Sequence, residues 1–189
     1  LTGGTGVYLK LDATRCTFEN GIDGTSIGDP FNADLVLDTC VTGALVDWRG
    51  ALVAHDTTFG TALTCFNMVN MVRCSVQGAL TNTLSSQKAI IRETSVSGAV
   101  TISGGLDVIE SCTFSGAFQA GVNPSGDQPE VFQTHFGGNV QIGDVGRISN
   151  CRFDGDLDIT GGSSSVVIGS STVTGKFTVD GGCQLSRAN

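Results

Sequence analysis

Basic residues are scarce in this sequence. Ten lysines and arginines face eighteen aspartates and glutamates in 189 residues, so the formal net charge is −8. Nucleic acids and anionic membrane surfaces are bound by clustered basic side chains, which the chain lacks. It also lacks an apolar run long enough to cross a bilayer. We therefore expect neither a nucleic acid nor a membrane among its partners.

Residue types that often build active sites are also few. The chain has two histidines, one tryptophan and one tyrosine. His55 and His135 fall in distant parts of the sequence, so we expect two ordinary exposed side chains rather than a shared metal site or a catalytic triad. Exposed aromatic rings, on which sugars stack, are expected to be scarce as well. No motif predicts a metal or a cofactor.

What the chain does contain is a repeat. Val108–Gly116 reads Val-Ile-Glu-Ser-Cys-Thr-Phe-Ser-Gly, and close copies occur at Arg147–Gly155 and Asn70–Gly78. When Cys112 is taken as position zero, nine copies align, spaced 17 to 23 residues apart. Self-similarity at a period of this kind is the signature of a solenoid.

Four columns of this alignment, at positions −3, 0, +2 and +6, stay apolar or small in every copy. Position zero is assigned to Cys16, Thr39, Thr57, Cys74, Thr94, Cys112, Thr134, Cys151 and Ser171. In the second copy the same alignment places Val36, Val41 and Leu45 at positions −3, +2 and +6. These columns are predicted to form the core.

Inside each copy the apolar residues alternate with polar ones, as at Leu157 and Ile159. Period two is typical of strands with one buried face. Glycines at position +4, such as Gly98 and Gly116, are interpreted as corners that need a positive φ. The predicted fold is therefore all-β: a parallel β-helix of about nine short coils, stacked at ~4.8 Å per coil.

Two of the copies, Ile109–Gly116 and Ile148–Gly155, resemble the parallel β-helix repeat of the pectate-lyase-like superfamily. The resemblance covers nearly the whole chain and implies a single-stranded, right-handed parallel β-helix. It is specific for the fold and not for a function, because that superfamily includes polysaccharide lyases and hydrolases, phage tailspikes and non-enzymatic adhesins.

Both ends of the chain fall inside a coil. Leu1–Gly4 resembles Ile159–Gly162, the close of a coil, and Cys183–Asn189 begins a further one. Neither end carries a capping helix or a charged cap, which solenoids use against edge pairing. Residues 1–189 are therefore predicted to be one β-helix domain, either a segment of a larger protein or a subunit whose ends are covered by partners.

Seven cysteines occur without a CxxC motif. Cys16, Cys74, Cys112 and Cys151 share position zero with at least one Thr copy between successive members, and Cys40 falls one position outside the column. Successive thiols are then ~10 Å or more apart, beyond the reach of a disulfide. We interpret them as buried free thiols of a chain that folds in a reducing compartment.

The best candidates for acid chemistry are Asp154, Asp156 and Asp158, which are predicted to lie on the outward side of one coil. Paired carboxylates can hydrolyse glycosides or bind Ca²⁺. Neighbouring copies place Asn139 and Gln141 beside them, with no lyase base in a matching column. A solvated acidic patch is the favoured interpretation, and we predict no metal site.

Position +5 is alanine in five successive copies: Ala44, Ala62, Ala79, Ala99 and Ala117. If these methyl groups point outward, they form a narrow apolar stripe that another chain can approach closely. The alternative is that the corner turns them partly inward, where only alanine fits.

Three insertions lengthen the repeat after the same predicted strand: Gly21–Asp34, Thr81–Lys88 and Gln119–Gln128. They are expected to emerge from one flank of the rod. Insertions on one face of a solenoid often carry its binding surface, but loops also collect wherever a coil tolerates them. Both interpretations remain open.

The favoured function is a structural rod or spike segment of a virion, such as a phage tailspike, fibre or capsid-attached protein, that presents or supports host-binding surfaces. We expect a homo-oligomer, with a trimer as one option, or assembly with other virion proteins, and a host glycan as a ligand. The chain would fold in a reducing cytoplasm and then reach the virion or an extracellular surface. The alternative is a polysaccharide lyase or glycoside hydrolase. A secreted adhesin is disfavoured by seven unpaired cysteines.

Overall fold

A computed structural model describes residues 8–28, 30–83, 88–122, 128–160, 165–180 and 184–188. These residues form 28 strands, numbered β1 to β28 along the chain, and one 3₁₀ turn at Pro30–Asn32. Within the described ranges, no helix is long and apolar enough to span a membrane. Successive strands of each sheet pair in parallel, so the predicted all-β parallel solenoid is confirmed.

The first sheet has ten strands: β1 (Leu9–Thr14), β4 (Ala33–Asp38), β7 (Ala51–His55), β10 (Val69–Val72), β13 (Ala89–Arg92), β16 (Leu106–Glu110), β19 (Glu130–Phe132), β22 (Arg147–Ser149), β25 (Ser165–Gly169) and β28 (Gln184–Ala188).

The second sheet has nine strands of two residues each: β2 (Thr17–Phe18), β5 (Val41–Thr42), β8 (Thr58–Phe59), β11 (Ser75–Val76), β14 (Ser95–Val96), β17 (Thr113–Phe114), β20 (His135–Phe136), β23 (Arg152–Phe153) and β26 (Thr172–Val173).

The third sheet also has nine strands: β3 (Ile22–Gly24), β6 (Val46–Trp48), β9 (Leu63–Cys65), β12 (Leu80–Asn82), β15 (Val100–Ile102), β18 (Phe118–Ala120), β21 (Val140–Gly143), β24 (Leu157–Thr160) and β27 (Phe177–Val179). One strand from each sheet makes a coil, and the three sheets are the walls of the solenoid.

The core is a set of stacked columns of like residues, because parallel strands in register place equivalent positions on top of one another. At position +2, Phe114 stacks on Phe136 with ring centroids 5.3 Å apart, and Phe136 stacks on Phe153 at 4.9 Å and 3° between the ring planes. Stacked rings of this kind add to the free energy of burial alone. From the third to the eighth copy, the predicted columns at −3, +2 and +6 are confirmed by pairing and burial, whereas Phe177 at +6 of the last copy is 37% exposed.

The predicted alignment of the second copy is wrong by one residue. Thr17 pairs with Val41, so position zero belongs to Cys40 and not to Thr39. Leu37, Thr42 and Val46 accordingly face the core where Val36, Val41 and Leu45 were expected. The physical reason is burial: the observed register buries Leu35 and Leu37 and leaves the acids of β4 outside, whereas the shifted one would bury Asp34.

The explanation given for the glycines at +4 is also wrong. Gly98 and Gly116 have ordinary negative φ, and they are needed because successive corners stack backbone on backbone. A Cβ on Gly98 would lie 2.6 Å from the backbone of Gly78, and one on Gly116 would lie 2.5 Å from the carbonyl oxygen of Gly98. Side chains cannot be accommodated at such distances.

The left-handed residue of each coil instead stands at position −1, between the first and second sheets. Its φ lies between 47° and 56° in all nine copies, which are occupied by Arg15, Thr39, Asp56, Arg73, Glu93, Ser111, Gln133, Asn150 and Ser170. None is glycine, although an L-residue pays about 1–2 kcal/mol for this conformation. This conformation could not be predicted from the sequence, because the nine side chains share only their polarity and exposure.

A second feature of the same corner is a ladder of thiols and hydroxyls at position zero. The backbone N–H of Cys74 donates to Oγ1 of Thr94 in the next coil at 3.2 Å, and that hydroxyl donates to the carbonyl oxygen of Arg92 at 2.7 Å. The Cys74 thiol donates to the carbonyl oxygens of Val72 and Ala54 at 3.3 and 3.4 Å. The same pattern recurs at Cys40 with Thr57, Cys112 with Thr134 and Cys151 with Ser171.

We predict that Thr94→Val destabilises the chain by about 1–2 kcal/mol, because the Cys74 N–H loses its acceptor while the side-chain shape is kept. Urea unfolding followed by circular dichroism measures the effect. Thr113→Val, at an exposed position of the neighbouring strand, is the matched control and should change stability by less than about 0.5 kcal/mol. Equal effects of the two substitutions would contradict the role given to the ladder.

We predict that Thr39→Gly stabilises the chain by about 0.5–1 kcal/mol. Thr39 is β-branched at φ 56°, so glycine removes more backbone strain than it adds in unfolded-state entropy. Thr58 lies in strand β8 of the second sheet. Replacing it by glycine should lower the free energy of unfolding by about 0.5–1 kcal/mol. Thermal unfolding of both variants checks the difference, and a loss of stability in Thr39→Gly would show that the corner is not strained.

Candidate functional site

The three candidate acids do not form one site. Asp154 follows β23 on the outside of the second sheet, Asp158 lies in β24 of the third sheet, and Asp156 sits in the corner between them. None of the three is buried, so their predicted outward placement is confirmed. Because the chain changes direction at this corner, residues that are adjacent in sequence face different walls.

Asp154 belongs to a cluster of charged side chains. Its Oδ1 accepts a hydrogen bond from Nε of Arg152 at 2.6 Å, and its Oδ2 lies 2.8 Å from Nε2 of His135 in the preceding coil. Arg152 first, and His135 second, hold the pKa of the Asp154 carboxyl below its ordinary value of 3.8. A general acid needs a raised pKa, so this cluster is unlike a glycosidase acid.

The histidines differ from the expectation of ordinary exposed side chains. His135 pairs with Asp154, and both His55 and His135 are only partly exposed. They stand in different sheets, His55 in β7 and His135 in β20, so the structure does not bring them together. Within the described residues, no group of three or more His, Cys, Asp or Glu could hold a metal ion.

Asp156 supports the corner of the next coil. Its Oδ1 accepts a hydrogen bond from the backbone N–H of Lys176 at 2.7 Å, and its own N–H donates to Oδ1 of Asn139 at 3.1 Å. A carboxylate or carboxamide at position +5 thus accepts a hydrogen bond from a backbone N–H of the next corner. Asp158, two residues later, is the acid of this coil that the corner does not use.

An open groove of about 400 Å³ runs over the outer face of the third sheet and contains two of the three acids. One side is formed by position +7, with Thr101, Gln119, Gln141 and Asp158, and the other by position +5, with Ala99, Ala117, Asn139 and Asp156. The Thr, Gln and Asp side chains stand in register, one per coil, at ~4.8 Å spacing. A row of hydroxyls, carboxamides and carboxylates can hydrogen-bond a polar, extended polymer.

The alanines of the predicted stripe divide between the two interpretations, and their role as an interface stays a prediction. Ala99 and Ala117 are exposed, and Ala62 and Ala79 are half-buried. Ala44 does not belong to it, because the register of the second copy is shifted; Leu45, which is 50% exposed, takes position +5 there. The stripe is therefore four alanines long and ends in the groove.

The thiols are free, and five of the six described ones are buried. Burial raises the pKa of Cys74 and of Cys112 to about 11 and that of Cys65 to about 12. Two expectations fail. Cys16 is exposed instead of buried, and Cys40 stands in the column, next to Cys16 in the adjacent coil, instead of one position outside it. Cys183 lies outside the described residues.

The three insertions all connect the third sheet to the first, at β3 to β4, β12 to β13 and β18 to β19, as predicted. In the first of them, Ile27 is buried, and its side chain and that of Trp48 both lie against Gly24. Residues 84–87 and 123–127 of the other two, and residue 29 of the first, lie outside the described residues. Whether these insertions bind a partner stays a prediction.

One surface was missed from the sequence: the outer face of the first sheet, where several strands carry Val or Ile on the outward side. Val36, Val53, Ile90 and Val108 occupy one outward column and are each partly exposed. The signal was present, because β4, β7, β13 and β16 each carry two or more consecutive apolar residues instead of strict alternation. In the second copy, the alignment error of one residue had assigned Val36 to the core, so its place in this outward column was not predicted.

We predict that Arg152→Ala raises the pKa of Asp154, with His135→Ala giving a smaller rise. Since the folded-state pKa lies below the unfolded one, the cluster contributes stability above about pH 4 and loses it as the pH falls through the lowered pKa. Carboxyl NMR titration and the midpoint of acid unfolding measure both effects. Lys10→Ala, which removes a distant pair with Asp12, should leave Asp154 unchanged. An unaltered titration in Arg152→Ala would contradict the assignment.

Comparison with known proteins names no relative. No protein-family model, curated protein or solved structure matches this chain.

Proposed function

We propose that this chain is a rigid rod segment of a virion, such as a tailspike, fibre or capsid-attached protein, which presents or supports host-binding surfaces. The observation that carries the proposal is the unbroken stacking of three parallel sheets of ten, nine and nine strands. Such a ladder resists bending, because every coil is hydrogen-bonded to both of its neighbours. In the proposed form, the rod is right-handed and has nine coils.

The assignment to a virion rests on the resemblance of Ile109–Gly116 and Ile148–Gly155 to the pectate-lyase-like repeat. Two further observations support it. The buried thiols with raised pKa suit a protein that folds in a reducing cytoplasm before it reaches a virion or extracellular surface. The charge of −8 suits neither a nucleic acid nor a membrane, so the proposed partners are further copies of the chain, in a trimer for example, or other virion proteins.

The groove on the third sheet favours a second candidate function, the binding or cleavage of a host glycan. Its side chains repeat at ~4.8 Å, so each coil offers a similar hydrogen-bonding group to a polymer lying along the rod. In a lyase or hydrolase, Asp158 would be the acting acid, because Asp156 is occupied by the corner. Among the described residues that line the groove, Phe118 is buried and no exposed aromatic ring is available to stack on a sugar.

We expect an antibody against the chain to label spikes or fibres on purified particles in immunogold electron microscopy. Particles that lack the protein would overturn the virion assignment. To test the second candidate function, the purified chain is incubated with acidic and neutral polysaccharides, and the release of reducing ends is measured. Release that disappears in Asp158→Asn, but not in the surface control Asp107→Asn, would establish an enzyme. Retention of a polysaccharide without release would support glycan binding.

A further inference from the structure

Two cysteines of the position-zero column, Cys16 and Cys40, lie in directly adjacent coils. β1 pairs with β4 up to two residues before each cysteine, and β2 pairs with β5 from the residue after each cysteine. The N–H of Arg15 donates to the carbonyl oxygen of Asp38 at 2.9 Å, and the N–H of Val41 donates to that of Cys16, also at 2.9 Å. Because the register is fixed on both sides, the two cysteines are stacked with their Cα atoms ~4.8 Å apart.

This spacing is compatible with a disulfide. Bonded cysteines have Cα atoms about 4.4–6.8 Å apart and Cβ atoms about 3.8 Å apart. The Sγ atoms of Cys16 and Cys40 occupy equivalent positions, since each donates to the carbonyl oxygen two residues earlier, at 3.4 and 3.3 Å. Sγ of Cys40 also donates to the carbonyl oxygen of Ala13, in the coil of Cys16, at 3.4 Å. Rotation of one side chain and an approach of the Cβ atoms by roughly 1 Å would join the two sulfurs and break only weak thiol hydrogen bonds.

The other described thiols lack such a neighbour. Further along the column, one hydroxyl coil precedes each cysteine: Thr57 before Cys74, Thr94 before Cys112 and Thr134 before Cys151. Successive thiols there are about 9–10 Å apart, beyond the reach of a disulfide. Cys65 lies in the third sheet between Trp48 and Asn82. Among the described cysteines, Cys16 and Cys40 are therefore the pair that an oxidant can join without unfolding the chain.

Cys16 is also the described thiol that is exposed to solvent, since the other five are buried. Thiol–disulfide exchange begins with an accessible thiolate. Burial raises the pKa of Cys74 and of Cys112 to about 11, so these thiols stay protonated near neutral pH. A disulfide in solution therefore meets Cys16 first, and Cys40 stands beside it as the second thiol.

We propose that Cys16 and Cys40 form a modification site, at which a small disulfide such as oxidised glutathione installs a reversible cross-link between two adjacent coils. The Cys16 thiolate, after losing its proton, attacks one sulfur of the oxidant, forms a mixed disulfide and releases the first small thiolate. The Cys40 thiolate then attacks the Cys16 sulfur and releases the second. The two protein thiols are oxidised to one disulfide, and their two electrons and two protons end on two small thiols. The cross-link closes the chain around the insertion Gly21–Asp34 and does not depend on the proposed virion role.

The test starts from the folded, reduced full chain, which is incubated with oxidised glutathione at about pH 8, near the pKa of an ordinary thiol. Free thiols titrated in denaturant after an acid quench should fall from seven to five, because one disulfide consumes two. Peptide mapping by mass spectrometry should find Cys16 joined to Cys40, and dithiothreitol should restore all seven thiols. The preference for this pair should disappear when the chain is oxidised in urea, because only the fold stacks the two coils.

Single substitutions separate the two steps. Cys40→Ser should stop at the mixed disulfide between Cys16 and glutathione, and Cys16→Ser should leave Cys40 unmodified, because Cys40 is buried. Cys74→Ser is the matched control: it replaces a buried thiol of the same column by a hydroxyl, as at Ser171, and should leave the cross-link unchanged. Modification of Cys40 in Cys16→Ser would contradict the assigned order of attack. Loss of the cross-link in a folded Cys74→Ser chain would contradict the pairing.

The decisive outcomes are read on the wild-type chain, so a variant that fails to fold does not affect them. A chain that keeps all seven thiols, stops at the mixed disulfide or joins Cys16 to any other cysteine, of the same or a second molecule, would overturn the proposal. An equal preference for the pair in urea would overturn it too. None of these outcomes bears on particle labelling, which tests the virion role separately.

Discussion

The solenoid depends on how the backbone passes the corner between the first and second sheets. The left-handed residue at position −1 donates its N–H to the following coil, as Arg73 does to the carbonyl oxygen of Arg92, whereas position +1 donates to the preceding coil, as Ser75 does to Thr57. The direction of hydrogen bonding thus reverses within two residues. The N–H at position zero is left between the two directions, and a hydroxyl of the next coil accepts it at Cys40, Cys74, Cys112 and Cys151. The hydrogen bonding of each coil to the coil before it and to the coil after it depends on this reversal.

The sequence predicts the columns of the core well, because apolar residues alternate with polar ones and return at fixed offsets from Cys112. It fails at the second copy, where the Gly21–Asp34 insertion removes the local reference and an error of one residue exchanges inside for outside. The left-handed corner could not be predicted, because glycine, its usual marker, stands five residues later to allow close stacking. Asp154 and Asp158 were predicted to lie on one outward side because they are close in sequence. The corner between them places them on different walls of the solenoid.

The three walls of the rod have different surface chemistry. The first is apolar along its centre and carries paired charges, the second has two-residue strands with the Asp154 cluster on its outside, and the third bears a row of hydroxyl, carboxamide and carboxylate groups. A single ladder of coils holds all three at fixed angles along its length. A glycan in the groove of the third wall would therefore leave the other two walls open to the protein partners proposed for the rod.

The thiol and hydroxyl ladder has a further consequence for how such a chain can change length. Cys40, Cys74, Cys112 and Cys151 each hydrogen-bond to a hydroxyl in the coil that follows, so coils are matched in twos. From Cys40 to Ser171, loss of one hydroxyl coil would place cysteine on cysteine and remove the acceptor of a backbone N–H, whereas loss of a matched pair would keep the alternation. Cys16 lies outside this pattern, because it stands beside Cys40 in the adjacent coil. The double coil is therefore the repeating unit of the hydrogen-bond pattern between Cys40 and Ser171.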